Sequence, residues 1–326
     1  MRRLGRYMIY LLGLLVLIVA VAAAAIWFEP TPRPPAIDAT AIGDDPEAYL
    51  HEVEARAEGV TPGTERRIVW AAEKGRKTPV AIVYLHGFSA TSEEIRPVPD
   101  MVARALGANL YFARLTGHGQ SGEALAAASV EDWLRDLAEA VEIGRRIGDE
   151  VIIMSTSTGG ALAALGATWP GFYDRVKGII FVSPNFRVKD PKARILDWPL
   201  VRYWAPIVAG RERAFETRNA AHAKYWTSRY PTVALVPMAR LARLARRADY
   251  SGVKIPALFI FSPDDIVVDA AETERIAASW GGPVRIERRH VGPGDDPNSH
   301  VIAGDIMSPS QTRPVAEIMI DWARGL

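Results

Sequence analysis

The stretch Val151-Ile-Ile-Met-Ser-Thr-Ser-Thr-Gly-Gly160 decides the fold, because the pattern changes from strand to helix within it. Its apolar start predicts a buried strand, and the alanine-rich residues that follow Gly160 predict a helix. The turn between them contains only small residues. From this turn alone two interpretations stay open: its hydroxyls cap the helix, or the turn is strained and exposes Ser157 as a nucleophile.

Short apolar runs alternate with helical patterns on both sides of this turn. Residues 80–85 are continuously apolar, as in a buried strand, and residues 130–147 have the spacing of an amphipathic helix. The predicted strands are residues 67–71, 80–85, 110–114, 151–154, 178–182, 257–261 and 284–287. The alternation predicts an α/β fold with a mostly parallel central sheet and helices on both faces.

The alternation stops between residues 187 and 252, a segment rich in Trp, Tyr and Arg. We read it as largely helical, without a clear strand, inserted into a core formed by residues 41–186 and 253–326. Because open α/β sheets bind ligands at their carboxyl edge, we expect a helical cap there. The leucines and arginines of residues 238–247 are typical of a surface helix packed on the domain; a lid that touches a membrane is the alternative.

The N-terminus carries three arginines before an uncharged stretch from Met8 to Phe28. A helix of about 21 residues spans about 31 Å, the thickness of a bilayer's hydrocarbon core. We therefore predict residues 1–28 as a signal anchor that places the rest of the chain on the extracytoplasmic side of a membrane. A cleaved signal peptide, which would release a secreted or periplasmic protein, is the alternative. Four prolines predict a stiff, extended linker over residues 29–40.

The amino-acid composition argues against several classes of site and partner. The 326-residue chain has no cysteine, which excludes disulfides, thiolate catalysis and zinc–thiolate sites. A net charge of +1 gives no reason to expect nucleic acid as a partner.

A serine needs a base and oxyanion donors before it becomes an effective nucleophile. The loop that begins with His86 leaves the strand at residues 80–85, so the N–H groups of Phe88 and Thr158 are the natural donors to an oxyanion near Ser157. A simple strand-ending turn is the alternative for this loop.

The candidates for the orienting acid and the base follow the last two predicted strands. Asp264 and Asp265 follow the strand at residues 257–261, and we expect one of them to face the site while the other caps the next helix or faces water. His290 and His300 follow the last strand. His290 ends that strand, where a structural role is the alternative. His300 lies in the loop before the final helix, where an imidazole can swing over the turn, and it completes the chain order serine, aspartate, histidine.

Together these segments resemble the serine α/β-hydrolases, in particular the esterase, monoacylglycerol lipase and lysophospholipase branch. The resemblance covers residues 65–326 and rests on His86-Gly87, Gly117-His-Gly-Gln-Ser121, the turn around Ser157, Ser262-Pro-Asp-Asp-Ile-Val-Val268 and the His300 loop. The turn departs from Gly-x-Ser-x-Gly, because Ser155 stands at the first glycine. The resemblance implies that Ser157 is the nucleophile, His300 the general base and Asp265 the orienting carboxylate.

The same resemblance implies a hydrolase of small-molecule or lipid-like carboxylic esters that works through an acyl-enzyme and needs no cofactor. A peptidase, aminopeptidase or acyltransferase of the same fold is an alternative, and so is a non-catalytic binding protein. As substrate-binding residues we name His86, His118, Trp204 and Trp226; the two tryptophans line an acyl pocket or form a small core within the cap.

Two other motifs are weaker. Residues 117–122 fit Gly-x-Gly-x-x-Gly, but a strand and a helix precede them, whereas a dinucleotide fingerprint opens the first strand–helix turn. Residues 290–300 contain two histidines and two aspartates among turn residues, a mixture that does not favour a metal site. We predict no nucleotide and no metal.

Overall fold

The computed structural model describes residues 2–326, with side chains described from residue 6 onward. The strands are β1 (Arg67–Val69), β2 (Thr78–Leu85), β3 (Asn109–Phe112), β4 (Gly148–Thr156), β5 (Val176–Val182), β6 (Glu212–Ala214), β7 (Arg229–Pro231), β8 (Ala257–Phe261) and β9 (Val284–Arg288). Seven of them form one sheet in the order β1-β3-β2-β4-β5-β8-β9. Only β1 is antiparallel to its neighbour in this sheet. The predicted mostly parallel sheet is confirmed.

Helices cover both faces of the sheet, as predicted. The helices are α1 (Arg2–Trp27), α2 (Ala39–Ile42), α3 (Pro46–Ala55), α4 (Val98–Leu106), α5 (Gly122–Ala127), α6 (Val130–Ile147), α7 (Thr158–Ala167), α8 (Val201–Val208), α9 (Ala220–Tyr225), α10 (Leu235–Arg247), α11 (Ala270–Ser279) and α12 (Pro309–Arg324). Apolar residues of α6, α7, α10 and α11 share one core layer, and those of α4 and α12 share the other.

Strand β4 shows how the apolar runs build this core. Val151 and Ile153 face the layer of α6 and α7, whereas Ile152 and Met154 face the layer of α4 and α12. Successive side chains of a strand point to opposite faces, so a strand covered on both faces is apolar throughout. In the register with β2, Leu85 lies beside Ser155, which brings the loop after β2 next to the turn after β4.

The predicted cap region contains one element that the sequence does not reveal. Strands β6 and β7 form a separate two-stranded antiparallel sheet, so the expectation of no strand in this region is wrong. These strands are only three residues long and mostly exposed, with arginine and glutamate among them, and therefore lack the apolar alternation that marks a strand.

Helix α10 contains the leucine and arginine pattern of residues 238–247. Leu241 and Leu244 are buried in the main core, and the helix packs against α7. The structure therefore agrees with a surface helix held on the domain by its leucines, and not with a lid whose leucines face a membrane.

Helix α1 is the one candidate membrane span among the described residues. Its segment Arg6–Trp27 is long and apolar enough to cross a bilayer, by length and composition. None of its apolar window is buried against the rest of the chain.

The predicted linker, residues 29–40, is extended only to Asp38, because α2 begins at Ala39, and it lies on the domain. The indole N–H of Trp169 donates to the Pro32 carbonyl at 2.6 Å, and the Arg146 guanidinium donates to the Ala39 carbonyl at 2.6 Å. The sequence predicts a spacer between anchor and domain, but these contacts tie the segment to α6 and to the residues that follow α7.

Candidate active site

The turn between β4 and α7 is strained. Ser157 has φ 50° and ψ −113°, a conformation that costs energy in a residue with a side chain. Its hydroxyl makes no capping hydrogen bond to α7, so the helix-capping interpretation does not describe this residue. At Gly159 a Cβ atom would lie 2.4 Å from the Leu85 carbonyl oxygen, so only glycine lets strand and helix pass this closely.

Ser155 shows how this chain dispenses with the first glycine of the usual pattern. Its side chain is fully buried, and its hydroxyl donates to the Ile180 carbonyl of β5 at 3.0 Å. A buried hydroxyl is costly unless it is hydrogen-bonded, and here the neighbouring strand supplies the acceptor. The substitution is therefore accommodated within the sheet and leaves the turn intact.

The structure brings together the three residues to which the family resemblance gives the roles of a catalytic triad. His300 Nε2 lies 3.0 Å from Ser157 Oγ, and His300 Nδ1 lies 2.8 Å from Asp265 Oδ2. The second carboxylate oxygen of Asp265 accepts the N–H groups of Val267 at 2.7 Å and Val268 at 2.9 Å. These two amides fix the carboxylate, which in turn fixes the imidazole with Nε2 towards the serine.

Electrostatics favour the protonated imidazole at this position. Burial of His300 by itself disfavours the charged ring, but the charge of Asp265 and its hydrogen bond outweigh burial and raise the pKa of His300. The raised pKa makes His300 a better proton acceptor than a free imidazole, so the geometry and the charge both suit a general base for the Ser157 hydroxyl.

A second aspartate–histidine pair lies on the same two loops. His290 Nδ1 is 2.6 Å from Asp264 Oδ2, but both side chains are exposed and neither contacts Ser157. Adjacent aspartates after β8 therefore point in different directions, as the sequence suggests, and only Asp265 faces the buried histidine.

The loop after β2 is held by a histidine whose ring nitrogens have different roles. His86 Nδ1 is 2.9 Å from the Gly87 carbonyl oxygen, and His86 Nε2 accepts the Leu115 N–H at 3.1 Å. Burial lowers the pKa of His86 to about 4, which keeps the ring neutral with its proton on Nδ1. Because a trans peptide points its C=O and N–H in opposite directions, this bond also sets the direction of the Phe88 N–H.

The two predicted oxyanion donors, the N–H groups of Phe88 and Thr158, belong to segments next to Ser157. A Cβ atom at Gly87 would come within 3.1 Å of Ser157 Cβ, so the loop passes directly against the serine. Thr158 is the first residue of α7, where backbone N–H groups have no partner within the helix. Neither the Phe88 N–H nor the Thr158 N–H has an acceptor among the described residues.

Glu94 is a residue that the sequence analysis missed. Its Oε2 accepts the Gly87 N–H at 2.7 Å and the Tyr84 hydroxyl at 3.2 Å, so Gly87 is held through both its N–H and its C=O. Glu94 is almost completely buried, and burial raises the pKa of its carboxyl group to about 7. The sequence shows only two adjacent glutamates in a polar loop, and nothing there indicates which one points inward.

This buried carboxyl group predicts a pH-dependent stability. An unfolded glutamate has a pKa of 4.5, and folded Glu94 has a pKa of about 7. At pH values between the two, the folded protein binds a proton that the unfolded chain does not, so the free energy of unfolding falls as pH rises. For Glu94→Gln we expect this fall to be smaller by up to about 3 kcal/mol, at roughly 1.4 kcal/mol per pKa unit. Denaturant titrations of the detergent-solubilised protein at a series of pH values measure it. The exposed Glu123→Gln is the control, and identical pH profiles for wild type and Glu94→Gln would refute the assignment.

A cavity of about 840 Å³ opens at Ser157 and His300 beneath the cap. Its apolar lining comes from both core and cap, and includes Phe88, Leu196, Trp226, Tyr230, Leu235 and Met238. The space is large enough for a substrate of lipid size, and its walls are suited to an apolar chain.

Of the four predicted substrate-binding residues, only Trp226 lines this cavity. The prediction that His86 and His118 bind substrate is wrong. Both rings are fully buried behind the Phe88 loop, with their centres 4.9 Å apart, and they support the loop. The prediction for Trp204 is also wrong. Its indole packs in the small core of the cap, and its N–H donates to the Pro199 carbonyl at 2.8 Å.

The aspartates of residues 290–300 bind backbone amides. Asp296 accepts the N–H groups of His300 at 3.2 Å and Val301 at 2.9 Å, and Asp295 accepts that of Gly292 at 2.9 Å. These bonds give the loop its shape and hold His300 over Ser157. Asp296 is thus a second residue that the sequence analysis missed, although its place before Pro-Asn-Ser is typical of a turn-forming aspartate.

A mostly parallel sheet with a strained serine turn at the end of a central strand defines an α/β-hydrolase fold. Comparison with protein families agrees, since residues 77–288 match the model of the family described as serine aminopeptidase, S33. This match covers more than half of the chain, and the protein belongs to that family.

Similar proteins include several lipases. The thermostable monoacylglycerol lipase of Bacillus sp. (strain H-257) is 23% identical over 205 residues, which are 63% of this chain and 77% of the relative. A solved structure of the metagenome-derived lipolytic enzymes LipS and LipT superposes with a TM-score of 0.67 at 22% identity, over 82% of this chain and 100% of the other. A soluble variant of monoglyceride lipase from Saccharomyces cerevisiae superposes with a TM-score of 0.59 at 12% identity, over 82% and 96%. At these identities the structures establish the fold.

Proposed function

We propose that this protein is a serine hydrolase that cleaves carboxylic esters through an acyl-enzyme. The observation that carries the proposal is the buried chain of hydrogen bonds from Asp265 through His300 to Ser157, which ends at the apolar cavity. The similarity to lipases supports the choice of ester chemistry.

In the proposed mechanism, His300 Nε2 takes the proton of Ser157 as Oγ attacks the ester carbonyl carbon. The carbonyl oxygen becomes an oxyanion and accepts hydrogen bonds from the Phe88 and Thr158 N–H groups. When the intermediate collapses, the C–O bond to the alcohol breaks and His300 donates the proton to the leaving alkoxide. Water, deprotonated by His300, then attacks the acyl-enzyme and releases the acid and the free serine.

The lining of the cavity favours an uncharged substrate over an aminopeptidase substrate. A peptide with a free α-amino group needs a free carboxylate near the nucleophile, and the two buried carboxylates of the lining are already engaged. Glu94 binds Gly87 N–H and Tyr84, and Asp296 binds two backbone amides of its own loop. Asp190 and Glu216 also line the cavity, but both are exposed residues of the cap region. Most of the remaining wall is aromatic and aliphatic, which suits an acyl chain.

We further propose that α1 remains attached and anchors the enzyme in a membrane with the catalytic domain on the extracytoplasmic side. Its length and apolar composition, with arginines only at its start, support this topology. A cleaved signal peptide stays the alternative. N-terminal sequencing of the mature protein from its membrane fraction distinguishes them, since an intact anchor leaves the N-terminal arginines in place.

A substrate panel tests the ester chemistry. We expect the purified protein to hydrolyse p-nitrophenyl esters, with kcat/KM rising from acetyl to longer acyl chains as more apolar surface enters the cavity. Aminoacyl arylamides should be turned over negligibly. Efficient arylamide cleavage with negligible esterase activity would overturn the proposed substrate class in favour of a peptidase.

A further inference from the structure

The cap exposes a stripe of large apolar side chains along one face of α8. Tyr203 is 76% exposed and Ile207 83% exposed, and Leu200 directly before the helix is 53% exposed. Positions 200, 203 and 207 share one helix face, whereas Val201 and Ala205 on the opposite face are buried. We call Trp198, Leu200, Tyr203, Ile207 and Val208 the cap patch. Soluble surfaces rarely cluster so many large apolar residues, so the patch calls for a partner.

The end of the proposed membrane anchor is fastened beside this patch. Arg243 of α10 pairs with Glu29 at 2.6 Å and with Asp197 at 2.5 Å, and its side chain is nearly buried. Glu29 follows α1 by two residues, and Asp197 directly precedes Trp198 of the cap patch. One guanidinium therefore joins the membrane-proximal end of the anchor to the start of the patch.

Further contacts hold the same end of α1. Glu29 also pairs with Arg240 at 2.7 Å, and the Arg247 guanidinium lies 5.0 Å from the centre of the Trp27 ring. Tryptophan at the end of a membrane span is typical of the bilayer interface. These contacts bind the end of α1 to α10, and through Arg243 to the residue before the cap patch.

The cap patch is continuous with the cavity. Ala205 and Val208 of α8 line the cavity that contains Ser157, and Val208 is also 71% exposed. Val208 therefore stands at the rim, with the patch outside and the cavity inside. An acyl chain that leaves a bilayer beside Ile207 therefore meets the apolar side chain of Val208 at the entrance of the cavity.

From these observations we infer that the cap patch lies in the bilayer surface that holds α1, and that substrate enters the cavity from the lipid. The inference rests on the proposed membrane anchor and deepens the proposed ester hydrolysis. A lipid surface is favoured over a protein partner or a second copy of the chain because the anchor itself brings the bilayer to this side of the domain.

Site-specific labelling tests the position of the patch without any measurement of activity. The chain has no cysteine, so Ile207→Cys and Val284→Cys each carry one environment-sensitive fluorophore. Val284 is the control because it is exposed on β9, in the sheet and outside the cap. With full-length protein in phosphatidylcholine vesicles, we expect lipid-borne nitroxide to quench the label at Ile207 and aqueous iodide to quench the label at Val284.

The role of the ion pair is tested in the same assay. Glu29→Gln removes the charge that Arg243 and Arg240 bind, and should expose the label at Ile207 to iodide while the protein still floats with the vesicles. Equal iodide quenching at both labels in the wild-type background would overturn the inference. A label at Ile207 that is shielded from iodide but not quenched by the nitroxide lipid would also overturn it, in favour of a protein contact.

Activity gives the second readout. Tyr203→Ser with Ile207→Ser should lower turnover of a monoacylglycerol dissolved in the vesicles by about tenfold or more, because two large side chains leave the lipid. The same double variant should keep its rate with a water-soluble short-chain ester. Val69→Ser with Val284→Ser removes exposed apolar residues from the sheet edges and should change neither rate. Equal loss with both substrates would refute lipid entry, whereas a wild type inactive on both would refute the proposed hydrolase instead.

Discussion

Ser157→Ala is expected to lower the turnover of a p-nitrophenyl ester by about 10⁴- to 10⁶-fold and to abolish covalent labelling by a fluorophosphonate. The variant removes the oxygen that lies 3.0 Å from His300 Nε2, and no acyl-enzyme can then form. Initial rates on the purified protein and gel fluorescence after labelling measure the two effects.

Ser155→Gly is the matched control for this experiment. It removes a hydroxyl from the same turn, but that hydroxyl is directed at the Ile180 carbonyl and away from the cavity. The variant should therefore still be labelled and still turn over substrate. A folded wild-type protein that resists the fluorophosphonate would contradict the proposal and favour a binding protein without catalysis.

His300→Ala should cost about as much as the loss of the serine, whereas His290→Ala should stay close to the wild-type rate. Members of a triad act as a unit, so removal of the base alone forfeits most of the rate that the unit provides. His290 lies outside this unit, in an exposed pair with Asp264. Measured kcat values decide between them, and a large loss in His290→Ala without one in His300→Ala would contradict the assignment.

The adjacent aspartates provide a parallel comparison. Asp265→Asn should lower kcat by about 10⁴-fold, because an amide no longer stabilises the protonated imidazole or its correct tautomer. Asp264→Asn changes only the exposed pair and should leave kcat nearly unaltered. Equal losses in the two variants would indicate a general effect on the loop instead.

The pH profile follows from the charge of Asp265. The base form of His300 is needed to accept the serine proton, so kcat/KM should rise with pH through the pKa of His300. Because that pKa is raised, the acidic limb should lie above 6.5, the ordinary value for histidine, and should shift to lower pH in Asp265→Asn. An acidic limb below 6.5 in the wild type would contradict the raised pKa.

The sequence predicts the fold well because the determining features are local. The five inner strands of the large sheet are recognisable as apolar runs, since a strand buried on both faces has no polar alternation. The edge strands β1 and β9 are only partly buried and contain charged residues, so their signal is weaker. The turn at Ser157 is recognisable from Gly159, a glycine that the fold requires because a side chain at this position would collide with the Leu85 carbonyl. Strands β6 and β7 escape detection because they are short and exposed.

The parts of the site that the sequence does not reveal depend on distant contacts. Glu94 is one of two adjacent glutamates, and only the folded chain shows that its carboxylate reaches Gly87 N–H. His86 and His118 are predicted to touch substrate, yet their rings are fully buried behind the loop. The attachment of residues 29–40 to the domain also rests on partners more than one hundred residues away.

That attachment sets the reach of the enzyme. The ten extended residues 29–38, if free, would let the domain range over about 35 Å. Held along the domain by Trp169 and Arg146, the segment allows no such travel. If α1 anchors the protein in a membrane, as we propose, the enzyme then meets its substrate by lateral diffusion in its own leaflet. Its rate should follow the mole fraction of ester among the surrounding lipids, and vesicles without enzyme in the same suspension should keep their ester intact.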